Sequence, residues 1–227
     1  MTSTTFSQFN GDTEGLEVAQ AFSAQVSGKV ASQGPSHLII TGRSRTKLQE
    51  SIDAMKSLCP HVNYDILQFD LSSQQSVRAA AAELLRRDDI PRIDLLINNA
   101  GVAFLPEHLL SPEKIEMHFA TNHIGHFLFT SLILPKLIKA SEESPKGATR
   151  VINVSSGSPK WAYMRWSDIN FEKNKDLPEE ERPNYEVHRA WGSPNVEELS
   201  YIPLAAYNKS KVANVLFSIG ANKRWMD

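Results

Sequence analysis

His37-Leu38-Ile39-Ile40-Thr41-Gly42-Arg43-Ser44 decides how the chain is read. A short apolar run bounded by turn residues reads as a buried strand, and Gly42 ends it. Ser44 then opens a helix whose Leu48, Ile52 and Met55 share a face. The alternation continues outward. Tyr64 to Asp70 reads as a second strand. Ser72 and Gln75, at capping-box spacing, start a helix reaching about Arg87. Ile93 to Asn98 is a third strand, Pro112 to about Ala140 a helical stretch, and Arg150 to Ser155 a fourth strand. Upstream, Asp12 or Thr13 caps a helix over Gly15–Ser27. Strands alternating with helices predict an α/β fold: a parallel sheet with helices on both faces.

The bulk numbers narrow the function classes. A chain of 227 residues is long enough for one domain with a full core, and the expectation is a single domain over 1–227. A net charge of −2 carries no nucleic-acid footprint. The single Cys59 cannot form an internal disulfide, so a reducing, cytoplasmic setting is expected, and no metal site is. Met1 to Asn10 shows no signal-peptide pattern. Phe127 to Ile138 is apolar but shorter than the roughly 20 residues needed to span a bilayer. Pro159 to Pro203 stands apart as a long polar insert carrying Trp161, Trp166 and Trp191, read as either a substrate lid or a solvated excursion.

Three motifs carry chemistry. Tyr207 and Lys211 are four apart on a helix and share a face. An ammonium beside a phenol favours the phenolate and draws the Tyr pKa down from about 10, making an acid/base for a carbonyl/alcohol pair, or the two simply form a surface i,i+4 pair. Ser155 and Ser156 end a strand at the carboxyl edge of the sheet, where open α/β folds bind ligands. A hydroxyl there stabilises a substrate oxygen, or simply caps the next turn. Asn98-Asn99-Ala100-Gly101 follows another strand; it lets a flat ring approach the backbone, or is a tight turn. Asp70 accepts from an adenine amine, or caps a helix beside Ser72.

With these motifs in this order, and with Thr121-Asn122-His123-Ile124-Gly125-His126-Phe127 between them, the chain resembles a short-chain dehydrogenase/reductase. The resemblance runs from about Leu38 to the C-terminus and is nearest to fungal, retinol-dehydrogenase-like members, which often serve secondary metabolism. It implies a doubly wound Rossmann-like parallel sheet and a tetrad of Asn122, Ser156, Tyr207 and Lys211. Tyr207 would be the acid/base, Ser156 would polarise the substrate oxygen, Lys211 would also bind the nicotinamide ribose, and Asn122 would support a proton-relay water. Asp70, Asn98 and Gly101 would line the adenine side. Arg43 resembles the basic residue that meets a 2′-phosphate, implying NADP(H) over NAD(H). The expected substrate is a small apolar carbonyl compound or secondary alcohol. The Phe127–Leu137 stretch resembles the family's subunit-interface helix, implying a homo-oligomer, or else packs on its own sheet.

The family pattern is incomplete. Its Thr-Gly-x-x-x-Gly-x-Gly loop, whose N–H groups and helix N-terminus hold a pyrophosphate, is missing. Gly28-Lys29-Val30 resembles the approach to the first strand, and Ala31-Ser32-Gln33-Gly34 the end of the helix after it; roughly two dozen residues are lacking between them. The family also continues beyond Asp227 with a further strand and a substrate-side helix. The sequence therefore predicts an incomplete sheet. It leaves two functions: an NADP(H)-dependent oxidoreductase, or a silent truncated relative that binds without turnover (or a coding segment skipped at Lys29 to Ala31).

Overall fold

The computed structural model describes residues 30–173, 176–193 and 195–225. The helix expected over Gly15–Ser27 lies outside the described residues.

Strand β1 (His37–Gly42) pairs in parallel with β2 (Asn63–Gln68), from His37 opposite Asn63 to Gly42 opposite Gln68. Helix α1 (Arg45–Leu58) makes the crossover and begins at Ser44, whose Oγ accepts from the Lys47 N–H. Its Leu48, Ile52 and Met55 bury against Ile40 and Val62, with Leu38, Tyr64 and Ile66 packed alongside. The period-2 alternation of a strand sends Ile39 and Leu67 to the opposite face. Helix α2 (Gln74–Leu85) follows. Its cap is Ser73, which accepts from the Ser76 N–H, and not Ser72 as expected. Ser72 is engaged elsewhere: its N–H and Oγ both donate to Asp70 Oδ1, at 2.9 and 2.8 Å.

A second parallel pair forms between β3 (Leu95–Asn98) and β4 (Arg150–Asn153), from Leu95 opposite Arg150 to Asn98 opposite Asn153. The helical stretch between them starts later than expected. Pro112 to Glu116 forms a tight reversal, closed by the Ser111 N–H to the Ile115 carbonyl at 2.8 Å and the Met117 N–H to the Leu109 carbonyl at 3.0 Å. The buried Glu116 carboxylate then accepts from the N–H groups of His118 and Phe119 and starts α3 (Met117–Phe119). A π-turn (Ala120–Ile124) leads into α4 (Gly125–Glu142). Gly125 permits this path: a Cβ there would lie 2.3 Å from the Leu71 carbonyl oxygen.

The two pairs do not share hydrogen bonds as one sheet. The main-chain carbonyls of Ser36 and Gly42 point to β2, so by alternation those of His37, Ile39 and Thr41 point away from it. Likewise Asp94 and Asn98 point to β4, leaving the Leu95 and Ile97 backbone on the other edge. Among the described residues no strand bridges these edges. What unites the pairs is one apolar core under α2 and α4: Leu67, Phe69, Val77, Leu84, Phe129, Ile133 and Leu137, with Ile39, Leu96 and Val151 packed against it. On the other face α1 covers only β1 and β2. Leu95 and Ile152, which alternate away from the core, are 43% and 42% exposed. The architecture is thus a doubly wound parallel α/β arrangement with no described strand in its middle. Helix α4 packs Phe129, Ile133 and Leu137 on its own sheets while Phe127 and Ile138 remain exposed.

The insert is packed rather than a loose excursion. It holds the short helix α5 (Tyr185–Ala190) and a small core of Phe171, Val196 and Ile202 against Ala205 and Ala206. The last two belong to helix α6 (Pro203–Trp225), which carries the Tyr and Lys pair. Trp161, Trp166 and Trp191 stay exposed.

Candidate active site

In a parallel α/β arrangement the carboxyl ends of all strands gather at one edge. Asn98 and Asn153 end β3 and β4 there, and the residues after them build the site. Asn98 is buried; its Nδ2 donates to Thr130 Oγ1 at 3.0 Å and to Asn153 Oδ1 at 2.8 Å, clasping β3, α4 and β4 together. This engages the Asn98 amide with protein rather than presenting it at the surface. Two residues on, the Ala100 carbonyl accepts from His126 Nε2 at 2.7 Å. Burial, first, pushes the His126 pKa down to about 4, so the imidazole is neutral and donates to that carbonyl.

Asn122 sits in the π-turn, a helix defect that recurs at functional sites. It is fully buried; Oδ1 accepts from the Val102 N–H at 2.7 Å, while Nδ2 donates to the Val102 carbonyl at 2.9 Å and to Ser210 Oγ at 3.0 Å. It thereby fixes the strand-end turn to helix α6. Gly101 is needed for this contact, because a Cβ would meet Asn122 Oδ1 at 2.7 Å.

The structure brings Ser156, Tyr207 and Lys211 together. The exposed Ser156 hydroxyl is close enough to the half-buried Tyr207 phenol to draw its pKa down. Ser155 instead donates to the Lys211 main-chain carbonyl at 2.8 Å, so of the two serines it is Ser156 that faces the phenol. Lys211 Nζ lies 5.7 Å from the Tyr207 ring centre and donates to the Val154 carbonyl at 3.2 Å. One expectation is corrected here. Burial raises the Tyr207 pKa above its ordinary value and outweighs the Ser156 hydrogen bond. Lys211 is not among the groups that shift it, because the ammonium is anchored on Val154 and is itself desolvated, its pKa pushed down to about 8.

The site has a wall that the sequence reading missed. Phe104 packs its ring 5.0 Å from Tyr207 and holds a left-handed backbone, φ 53°, uncommon for a bulky side chain. Its loop is clamped on both sides: the Leu105 N–H donates to His118 Nε2 at 3.2 Å, and Tyr201 Oη donates to the Leu105 carbonyl at 2.9 Å. With Nε2 accepting, His118 Nδ1 carries the proton and donates to Glu116 Oε1 at 2.8 Å. Burial drives the Glu116 pKa up, but the His118 hydrogen bonds and the Lys209 charge outweigh it and hold the carboxylate low. His118, His126 and Thr130 lie eight and four apart on the helical stretch, a face the motif pattern alone did not flag.

The remaining expected positions line the same edge farther along. Arg43 is exposed just past β1, and its carbonyl accepts from Gln68 Nε2 at 2.9 Å. Asp70, past β2, holds Ser72 through Oδ1. A nicotinamide dinucleotide would therefore meet fitting residues at its two ends: Tyr207, Ser156 and Lys211 at one, Asp70 and Arg43 at the other. Its middle finds no match. Between β1 and β3 the described residues include no strand–turn–helix with a glycine-rich cradle for a pyrophosphate. Nor do they include a cluster of three metal-ligating side chains or a helix long and apolar enough to cross a membrane.

Comparison with known proteins agrees with this layout. A family model described as short chain dehydrogenase matches residues 18–168. The oxidoreductase fscI of Fusarium equiseti is 36% identical over 92% of this chain and 86% of its own length. Human retinol dehydrogenase 13 is 33% identical over 83% of this chain, which spans only 46% of that protein. Among solved structures, a short-chain dehydrogenase from Sphingobium yanoikuyae in complex with NADPH superposes over 95% of this chain and 64% of its own, with TM-score 0.56 and 18% identity, a likeness of fold. The chain belongs to the short-chain dehydrogenase/reductase family.

Proposed function

We propose that this chain is an oxidoreductase-type protein for a carbonyl or secondary alcohol of a small apolar molecule, with NADP(H) as its nicotinamide partner. The observation that carries the proposal is the meeting of the Ser156 hydroxyl with the half-buried Tyr207 phenol at the strand-end edge, with Lys211 beside the same ring. In this reading the cofactor, when bound, exchanges hydride with the substrate carbon. Tyr207 Oη gives or takes the proton at the substrate oxygen, Ser156 Oγ donates a hydrogen bond to that oxygen as charge grows, and Lys211, anchored on the Val154 carbonyl, would hold the nicotinamide ribose. Phe104 supplies the apolar wall, consistent with an apolar substrate. Arg43 favours a 2′-phosphate, hence NADP(H).

A second reading rests on a different observation. The open edges of β1 and β3 leave the pyrophosphate without a cradle among the described residues, so the chain would be a relative that binds ligands without turning them over. Calorimetric titration of the purified chain with NADPH separates the two. Saturable binding near micromolar supports the enzyme; no saturation at millimolar NADPH supports the silent relative.

A further inference from the structure

Val102 and Leu105 flank a span of two residues, Ala103-Phe104, and each is tied by both of its main-chain groups. Asn122 Oδ1 accepts from the Val102 N–H at 2.7 Å, and Asn122 Nδ2 donates to the Val102 carbonyl at 2.9 Å. His118 Nε2 accepts from the Leu105 N–H at 3.2 Å, and Tyr201 Oη donates to the Leu105 carbonyl at 2.9 Å. Asn122 and His118 are fully buried, and Tyr201 is half-buried. A two-residue span between two such clamps has little room to swing. Phe104 accordingly keeps its left-handed backbone, φ 53°, which a bulky side chain holds only where its surroundings over-determine it.

The clamp on Leu105 is itself braced. Glu116 Oε1 accepts from His118 Nδ1 at 2.8 Å, and the Glu116 N–H donates to Asn170 Oδ1 at 3.0 Å. Tyr201 stacks on His108 with ring centres 4.8 Å apart. Burial, and then the Glu116 charge, push the Tyr201 pKa well above its ordinary value, so its hydroxyl stays a donor. Asn170 and Tyr201 both belong to the Pro159–Pro203 insert, which therefore reaches the wall through two side chains. The Phe104 ring held this way touches Tyr207, with 5.0 Å between ring centres, and is 48% exposed. It borders the approach to the phenol from solvent.

We infer that Phe104 limits the size of the group admitted beside Tyr207, and that His118 and Tyr201 are positioning residues that hold it there through the Leu105 main chain. The inference rests on the reading of Tyr207 as the residue that meets the substrate oxygen. A wall fixed by its main chain selects by shape. It admits a ketone or secondary alcohol with one small substituent on the Phe104 side and turns away one with two bulky groups.

The test treats the full chain with N-acetylimidazole and with N-benzoylimidazole, which acylate a phenol oxygen and release imidazole, and reads each tyrosine by peptide mass spectrometry. Tyr163, 74% exposed, calibrates the two reagents. The benzoyl-to-acetyl rate ratio at Tyr207 should lie about tenfold or more below that at Tyr163, and Phe104→Ala should bring it within about threefold. His118→Phe, which keeps a ring and removes the Nε2 acceptor, should move the ratio the same way and add nothing in the Phe104→Ala background. If that variant does not fold, Tyr201→Phe, which removes the other bond to Leu105, should do so. No cofactor is needed, so a chain that fails to bind NADPH loses the enzyme reading while the wall is still scored. Three results would each overturn the proposal: equal ratios at Tyr207 and Tyr163 in the parent; no rise in Phe104→Ala; or a clamp variant that leaves the parent ratio unchanged or still raises it without Phe104.

Discussion

Gly101 and Asn122 are fitted to each other: a Cβ on Gly101 would lie 2.7 Å from Asn122 Oδ1, the atom that holds the Val102 N–H. Relief requires moving Asn122, which would strand the Val102 main chain in a buried site and cost Ser210 Oγ one of its two partners. Gly101→Ala should therefore destabilise the chain by about 2–4 kcal/mol. Chemical denaturation reads this directly, and a loss within about 0.5 kcal/mol would mean that the turn relaxes without Asn122.

The Ser156 hydrogen bond opposes the upward push that burial gives the Tyr207 phenol. Ser156→Ala should thus raise the Tyr207 pKa further, followed by NMR of ¹³Cζ-labelled tyrosine. This holds whether or not a cofactor binds. Where NADPH does bind, Tyr207→Phe should cut turnover about 10²-fold or more and leave the NADPH dissociation constant within about twofold. Unchanged turnover would reject Tyr207 as the acid/base.

His126 makes the chain acid-sensitive. Its pKa is about 4 in the folded chain against an ordinary 6.5, so between those values the unfolded chain binds the extra proton. Stability from this group is full above pH 6.5 and is lost as pH falls toward 4, by about 3 kcal/mol in all. His126→Gln keeps a donor for the Ala100 carbonyl and does not titrate. Urea unfolding at pH 7 and pH 4.5 should show a smaller loss in the variant than in the parent; equal losses would place the acid sensitivity elsewhere.

The uneven cover of the strands predicts unequal mutational costs. Ile133, on the inner face of α4, is fully buried, while Ile152 on β4 is 42% exposed. Ile133→Ala should cost about 2–5 kcal/mol and Ile152→Ala less than about 1 kcal/mol. Similar costs would show that something covers the open face of β3 and β4.

Much of the architecture was legible because period and punctuation are local. The run His37–Thr41 ended by Gly42, the Ser44 cap and the Leu48/Ile52/Met55 stripe reappear as β1 and α1 nearly residue for residue. The late start of the helical stretch was not legible, since the reversal at Pro112–Glu116 depends on Glu116 being buried where its carboxylate meets two free N–H groups. The Ser73 cap was missed for a similar reason: Asp70 competes for Ser72.

By itself the sequence determined the parallel α/β alternation, the order of the motifs and the gap before His37, because each is written in neighbouring residues. Only the tertiary structure decided that Lys211 rests on Val154 instead of lowering the phenol pKa, and that Asn98 and Asn122 act as clasps. It also decided that Lys209 is buried against the insert, where its ammonium donates to the Ile169 carbonyl. These outcomes depend on burial and on partners 20 to 90 positions distant, and desolvation has no signature in local spacing.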